Sequence, residues 1–188
     1  MKVDIENYLN KLSDAFSKIE TSKIDVLYDD LMSCWKQKKN VFFCGNGGSA
    51  GNAIHIVNDY IYGIAKETGK GLSAYALSAN TSVMSCLAND TGYQNIFSEQ
   101  LAVHAKKNDL LIVLSGSGNS SNIIKAIDKA RELGVRSHSV VAYDGGYAKD
   151  KSDNCIHLPI NDMQIAEDSQ LIIFHMIMQK FYEERKSV

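Results

Sequence analysis

Proline occurs once in the 188 residues, at Pro159, and no Gly/Ser-rich or low-complexity stretch interrupts the chain, so nothing marks a linker or a domain boundary. Charge of one sign is also lacking. A formal net charge of −2, with only short basic clusters such as Lys106-Lys107, leaves no footprint for nucleic acid or for an anionic membrane surface. Long apolar runs are missing too. None approaches the about 20 residues that a bilayer-spanning helix needs. Residues 1–6 carry neither an apolar core nor a small-residue cleavage pattern, so no secretory leader is expected. Cysteine is sparse and unpaired by spacing. Cys34, Cys44, Cys86 and Cys155 form no C-x-x-C motif, which argues against a disulfide frame or a thiolate zinc site and for reduced thiols. A cytoplasmic location is the resulting expectation.

What remains is an ordinary globular balance, 45% apolar and 22% charged, on a chain long enough for the core of a single domain, 1–188. Ile5, Tyr8, Leu9, Leu12 and Phe16 recur at helical spacing over 4–19, and Ile24, Leu27, Leu31 and Trp35 do so over 24–36. These predict an N-terminal helical hairpin within 1–38. Short apolar runs follow at 41–44, 72–77, 110–114, 140–143 and 155–158, with helical patterns at 49–62, 119–133 and 163–183. Strands alternating with helices imply a parallel sheet, and mostly apolar strands fit burial on both faces. The expected fold is therefore an α/β doubly wound sandwich with an added helical hairpin and a long closing helix. That helix is apolar around most of its girth over 171–178, which predicts an oligomer with this helix and the hairpin at its interfaces. The alternative is a central helix lying against the sheet.

Two glycine/serine loops carry the chemical signal. Gly45-Asn46-Gly47-Gly48-Ser49 lies between a strand and a helix start, where glycines allow close backbone approach and free N–H groups attract an anion. Gly45, Gly47 and Ala50 satisfy a dinucleotide fingerprint literally, but the second strand ends Leu77-Ser78-Ala79-Asn80 without the acidic residue that would hold a ribose hydroxyl. No nucleotide cofactor is expected. The second loop, Ser115-Gly116-Ser117-Gly118-Asn119-Ser120, offers hydroxyls and backbone amides suited to a monophosphate. It lacks a P-loop lysine, so triphosphate hydrolysis is not expected. An ordinary serine-capped helix start is the competing reading of this loop.

These loops, with Asn89-Asp90-Thr91-Gly92-Tyr93 and Ile96-Phe97-Ser98 between them, resemble the phosphoheptose isomerase family of SIS (sugar isomerase) domains over nearly the whole chain. The resemblance implies a homotetramer that interconverts sedoheptulose 7-phosphate and D-glycero-D-manno-heptose 7-phosphate, with zinc in the site of several members. It implies that Ser115, Gly116, Ser117 and Ser120 hold the phosphate, and that Asn46, Gly47, Gly48, Asn89 and Asp90 contact the sugar. The family's helix histidine falls on His55 and its catalytic glutamate on Asp59. Its closing-helix glutamine falls on Glu167 and its catalytic histidine on His175. Asp59 and Glu167 depart from the family's residue types.

An aldose–ketose isomerisation needs a base to move a proton between C1 and C2, and an acid or metal to stabilise the enediolate oxygen. Asp59 as base and His175 as its partner meet that need. His55 and Asp59, at i and i+4, face the same way on a helix. With Glu167 and His175 they make a two-histidine, two-carboxylate set suited to a divalent ion. Two other functions stay open on the same residues: a non-catalytic SIS protein resembling the DnaA-binding initiator-associating factor, and an isomerase or sensor for another phosphosugar. His104, His138 and His157 have no acidic partner at useful spacing, and Asp144-Gly145-Gly146 reads as a turn.

Overall fold

The computed structural model describes residues 3–183, so the outermost positions of the expected 1–188 domain lie outside the described residues. Two helices, α1 (Ile5–Ser17) and α2 (Thr21–Gln37), form the expected hairpin ahead of β1 (Asn40–Gly45). The chain continues through α3 (Gly47–Asn58), a π-helical turn (Asp59–Gly63), α4 (Ile64–Thr68), β2 (Ser73–Ala76) and α5 (Thr81–Asp90). After a 3₁₀ turn (Tyr93–Asn95) come α6 (Ser98–His104), β3 (Leu110–Ser115), α7 (Ser121–Leu133) and β4 (Arg136–Val141). The last elements are α8 (Gly146–Lys151), β5 (Asn154–His157) and α9 (Met163–Glu183). All five strands are parallel in the order β2-β1-β3-β4-β5, with Gly45 beside Leu114 where β1 and β3 end.

The alternation of side chains along a strand explains why the strands are apolar throughout. Val41 and Phe43 of β1 face one core with Leu110, Ile112 and Leu114, beneath α2, α3 and α9. Phe42 and Cys44 face the other with Leu111 and Val113, beneath α6 and α7. Each core phenylalanine contributes on the order of 1.5–3 kcal/mol by burial. Burial also pushes the Cys44 thiol far above its ordinary range.

Three expectations change. The helix over 49–62 is not continuous: the π turn interrupts it at Asp59. There Tyr60 enters the core and its hydroxyl donates to the Phe174 carbonyl of α9 at 3.0 Å. Strand β4 begins at Arg136, four residues before the apolar run that announced it. After exposed Arg136, the polar residues Ser137, His138 and Ser139 are buried because each has a distant partner. His138 is wholly enclosed, with Nε2 at 2.6 Å from Asp30 Oδ2 on α2 and Nδ1 at 2.9 Å from Asn154 Nδ2 on β5. Finally, Ile165, Ile173, Phe174, Ile177 and Phe181 of α9 are buried within the chain itself, so much of its apolar girth is a central helix on the sheet. Among the described residues no helix is long and apolar enough to cross a membrane.

Candidate active site

A sheet of order 2-1-3-4-5 has its topological switch point between β1 and β3, where the chain leaves in opposite directions and opens a crevice at the strands' carboxyl ends. Both glycine/serine loops lie there. Asn46 is the N-cap residue of α3, and Gly47 follows with φ +54°, a left-handed conformation that glycine adopts without strain. The serine loop leaves β3 at Ser115 and enters α7 after Ser120. Ser115 Oγ accepts the Gly118 N–H at 3.1 Å, and Ser117 Oγ accepts the Asn119 N–H at 3.3 Å. Ser120 occupies the N-cap position of α7 without making a side-chain cap bond.

The loops enclose a cavity of about 270 Å³ lined by Asn46, Gly47, Gly48, Ser115, Gly116, Ser117, Ser120 and Glu167, with Ser49, Leu114 and Met163 completing it. Every loop residue that the sequence reading assigned to ligand binding lines it, whereas Gly45, Gly118 and Asn119 do not, and no lysine or arginine does. Glu167 is the single charged group among the lining residues. Its carboxylate lies directly over Gly48, where any Cβ would collide with it. Asn89 and Asp90 are elsewhere. They close α5 as exposed residues, with Asn89 Nδ2 donating to Asp90 Oδ1 at 2.7 Å, and neither lines the cavity.

A second cluster lies further along α3 and α9, which give Gly48 and Glu167 to the cavity. Helix α9 is fixed against α3 by Asn52, whose Nδ2 donates to the Glu167 carbonyl and to Gln170 Oε1, each at 2.9 Å. Buried Gln170 in turn donates to Ser49 Oγ at 3.1 Å. This clamp sets the register in which His55 meets His175. Their Nε2 atoms are 3.1 Å apart, and Asp59 Oδ2 stands 3.4 Å from the first and 3.3 Å from the second. Met178, three residues on, packs beside Gly63.

The His55–Asp59–His175 triangle fits a small divalent ion. Ligands at about 2.0–2.1 Å from a tetrahedral zinc are separated by roughly 3.3 Å, which is the spacing of these three atoms. All three ligand atoms lie within 4.8 Å of one another, and the side chains remain open to solvent on one side. Glu167 does not join them. Asp59 reaches the histidines despite its short side chain, from a backbone that has just entered the π turn. Single-turn π segments inside helices recur at functional sites.

A profile of the SIS domain matches residues 6–142. A phosphoheptose isomerase of Helicobacter pylori is 38% identical over 147 residues, 78% of this chain and 76% of the relative. One from Clostridium acetobutylicum is 34% identical over 182 residues, 94% and 92% of the two chains. The chain is a SIS-domain protein of the phosphoheptose isomerase family. A solved phosphoheptose isomerase from Neisseria gonorrhoeae superposes with a TM-score of 0.82 at 26% identity, over 97% of this chain and 94% of that one. A second, from Francisella tularensis, shares the fold with a TM-score of 0.88 at 22% identity, over 95% and 94%.

The sequence reading assigned no role to four residues that hold the family site together. Asn52 and Gln170 carry the α3–α9 clamp, and Asn122 and Tyr93 brace Asn46. Ser49 and Asn52 stand one helical turn apart, a pattern that makes sense only once Gln170 is known to lie opposite. Nothing local announces it.

Proposed function

We propose that this protein is a sugar-phosphate aldose–ketose isomerase that converts sedoheptulose 7-phosphate into D-glycero-D-manno-heptose 7-phosphate. The observation that carries this reading is the pairing of a cation-free serine/amide cavity with a carboxylate–histidine triangle on the same two helices. Ser117 and Ser120 hydroxyls, with loop amides and the α7 N-terminus, hold the phosphate. Asn46 and Glu167 face the sugar from the same cavity, and Asn89 and Asp90 are assigned to the sugar chain through the family alone.

In the reaction the Asp59 carboxylate takes a proton from C1 of the ketose, the C1–C2 enediolate forms, and the proton returns at C2. The hydroxyl proton of O1 passes to O2 by way of His175, so the sugar is isomerised with no external oxidant or reductant. His55, Asp59 and His175 would hold a zinc ion, whose chemistry is to polarise the substrate oxygens and stabilise their negative charge. The protein would act as a cytoplasmic homotetramer, with the N-terminal hairpin and α9 at its interfaces.

The relatives reported above carry the name of an enzyme and lend the non-catalytic alternative no support. Incubation of the wild-type protein with sedoheptulose 7-phosphate in D₂O tests the reading. The expected product is the aldose carrying solvent deuterium at C2, read by proton NMR. A folded protein that leaves the ketose unchanged, with or without added zinc, contradicts it.

A further inference from the structure

Asn46 lines the cavity, and almost all of its hydrogen-bonding capacity is already committed. Its Oδ1 accepts from Asn122 Nδ2 at 2.8 Å and from the Tyr93 hydroxyl at 2.9 Å, while its Nδ2 donates to Asn122 Oδ1 at 2.9 Å. Asn46 and Asn122 thus face each other as a reciprocal amide pair linking the loop after β1 to the first turn of α7. Asn122 is 1% exposed. Its Oδ1 also accepts the backbone N–H of Ile123 at 3.0 Å.

That last bond sets the polarity of the whole chain. A backbone N–H can only donate, so the Asn122 atom facing it is the oxygen. The other Asn122 atom is then the amide nitrogen, which must meet an acceptor, and this fixes Asn46 with its oxygen there. Tyr93 has no remaining choice but to donate. Both lone pairs of Asn46 Oδ1 are now occupied and one of its two amide protons is used. A single N–H is left for the cavity.

We infer that Asn122 and Tyr93 are positioning residues that lock Asn46 as a one-proton donor, so that this corner of the site selects an oxygen acceptor of the sugar phosphate and rejects a donor. The inference rests on the cavity being a sugar-phosphate site. A bond used only to tie the loop to the helix would contribute stability without affecting ligand preference, and this difference is measurable.

Asn122→Asp is nearly isosteric, yet at high pH it sets a carboxylate oxygen against Asn46 Oδ1 and drives the amide out of its locked orientation. At low pH the introduced carboxyl is protonated and restores the missing donor. The expected result is a KM for sedoheptulose 7-phosphate raised about ten-fold over wild type at pH 8, the loss of roughly one oriented hydrogen bond. The ratio of variant to wild-type KM should fall toward one as pH drops to about 5, beyond the usual carboxylate range but within reach of a carboxyl facing an oxygen. Taking the ratio cancels the titration of the substrate phosphate. Tyr93→Phe, on an exposed side chain, is the second variant and should raise KM several-fold with kcat little changed. Unaltered KM in both folded variants, or an Asn122→Asp defect that stays constant with pH, overturns the inference. Should wild-type protein fail to turn over the ketose, the reading of the site falls separately. The pairing is then judged by side-chain amide NMR, where Tyr93→Phe must shift the Asn46 NH₂ resonances and unshifted resonances overturn it.

Discussion

Glu167 stands in a cavity built to attract an anion, and it brings a negative charge of its own. Its carboxylate is held over Gly48 on one side, while its backbone carbonyl is fixed by Asn52. The sequence reading gave it both to substrate binding and to a metal set, and the structure seats it with the serine loop, apart from the His55–Asp59–His175 triangle. Like charges in one small cavity oppose each other, less so as salt screens them. Glu167→Gln keeps the shape and removes the charge. Calorimetric titration with inorganic phosphate should therefore show several-fold tighter binding for this variant at low salt, and a gap that narrows as salt is added. In the same titration Ser117→Ala combined with Ser120→Ala should weaken binding several-fold, because hydrogen bonds to the charged ligand are lost. Unchanged affinity in the double serine variant would remove the phosphate from this loop.

At the scale of elements, α9 matters most, since it carries Glu167, the Gln170 clamp and His175. Its start is anchored by Asp162, whose Oδ1 accepts the Ile165 N–H at 3.3 Å and whose Oδ2 pairs with Lys11 of α1 at 3.1 Å. The Lys11 ammonium, and after it the Ile165 N–H, hold the Asp162 carboxyl below its ordinary range. A lowered carboxyl stabilises the fold fully above its unfolded pKa, and that contribution fades as pH falls through the folded value. Urea unfolding should accordingly find Asp162→Asn less stable than wild type at pH 7, with the two converging as pH drops below about 4. A difference that persists undiminished at pH 3 would contradict this anchor. Much of the element plan was legible in the sequence. The β1 and β3 runs, their loops and the hairpin all follow from local pattern. What escaped was set by distant partners: the π turn depends on Tyr60 meeting the Phe174 carbonyl, and the polar start of β4 depends on Asp30 and Asn154 enclosing His138. The residue types at the triangle were legible only through family resemblance, because isolated histidines and a lone aspartate on helices carry no signal until α3 and α9 are placed side by side.

For the whole molecule, the apolar surface left uncovered is as informative as the core. Ile5 and Leu9 of α1 are 69% and 56% exposed, one helical turn apart, and Met176 of α9 is 42% exposed beside a groove formed with Ile24 and Tyr28 of α2. Exposed apolar side chains on these helices are what the proposed assembly would cover. The burial of much of α9 within the chain moderates the sequence-based argument for an oligomer, and the hairpin surface now bears most of it. Multi-angle light scattering should return the mass of four subunits, and Leu9→Glu should reduce it. A wild-type protein that elutes with the mass of one chain would contradict the assembly.

The account as a whole turns on Asp59, one methylene shorter than the residue its family uses and still in contact distance of both histidines. Its most direct test is the turnover of sedoheptulose 7-phosphate by metal-free and zinc-loaded protein, with Asp59→Asn measured alongside. The prediction is turnover by the wild type that falls about 10²–10⁴-fold in Asp59→Asn, whose fold and phosphate affinity stay intact. Wild-type turnover that survives the substitution would show that this aspartate is not the base.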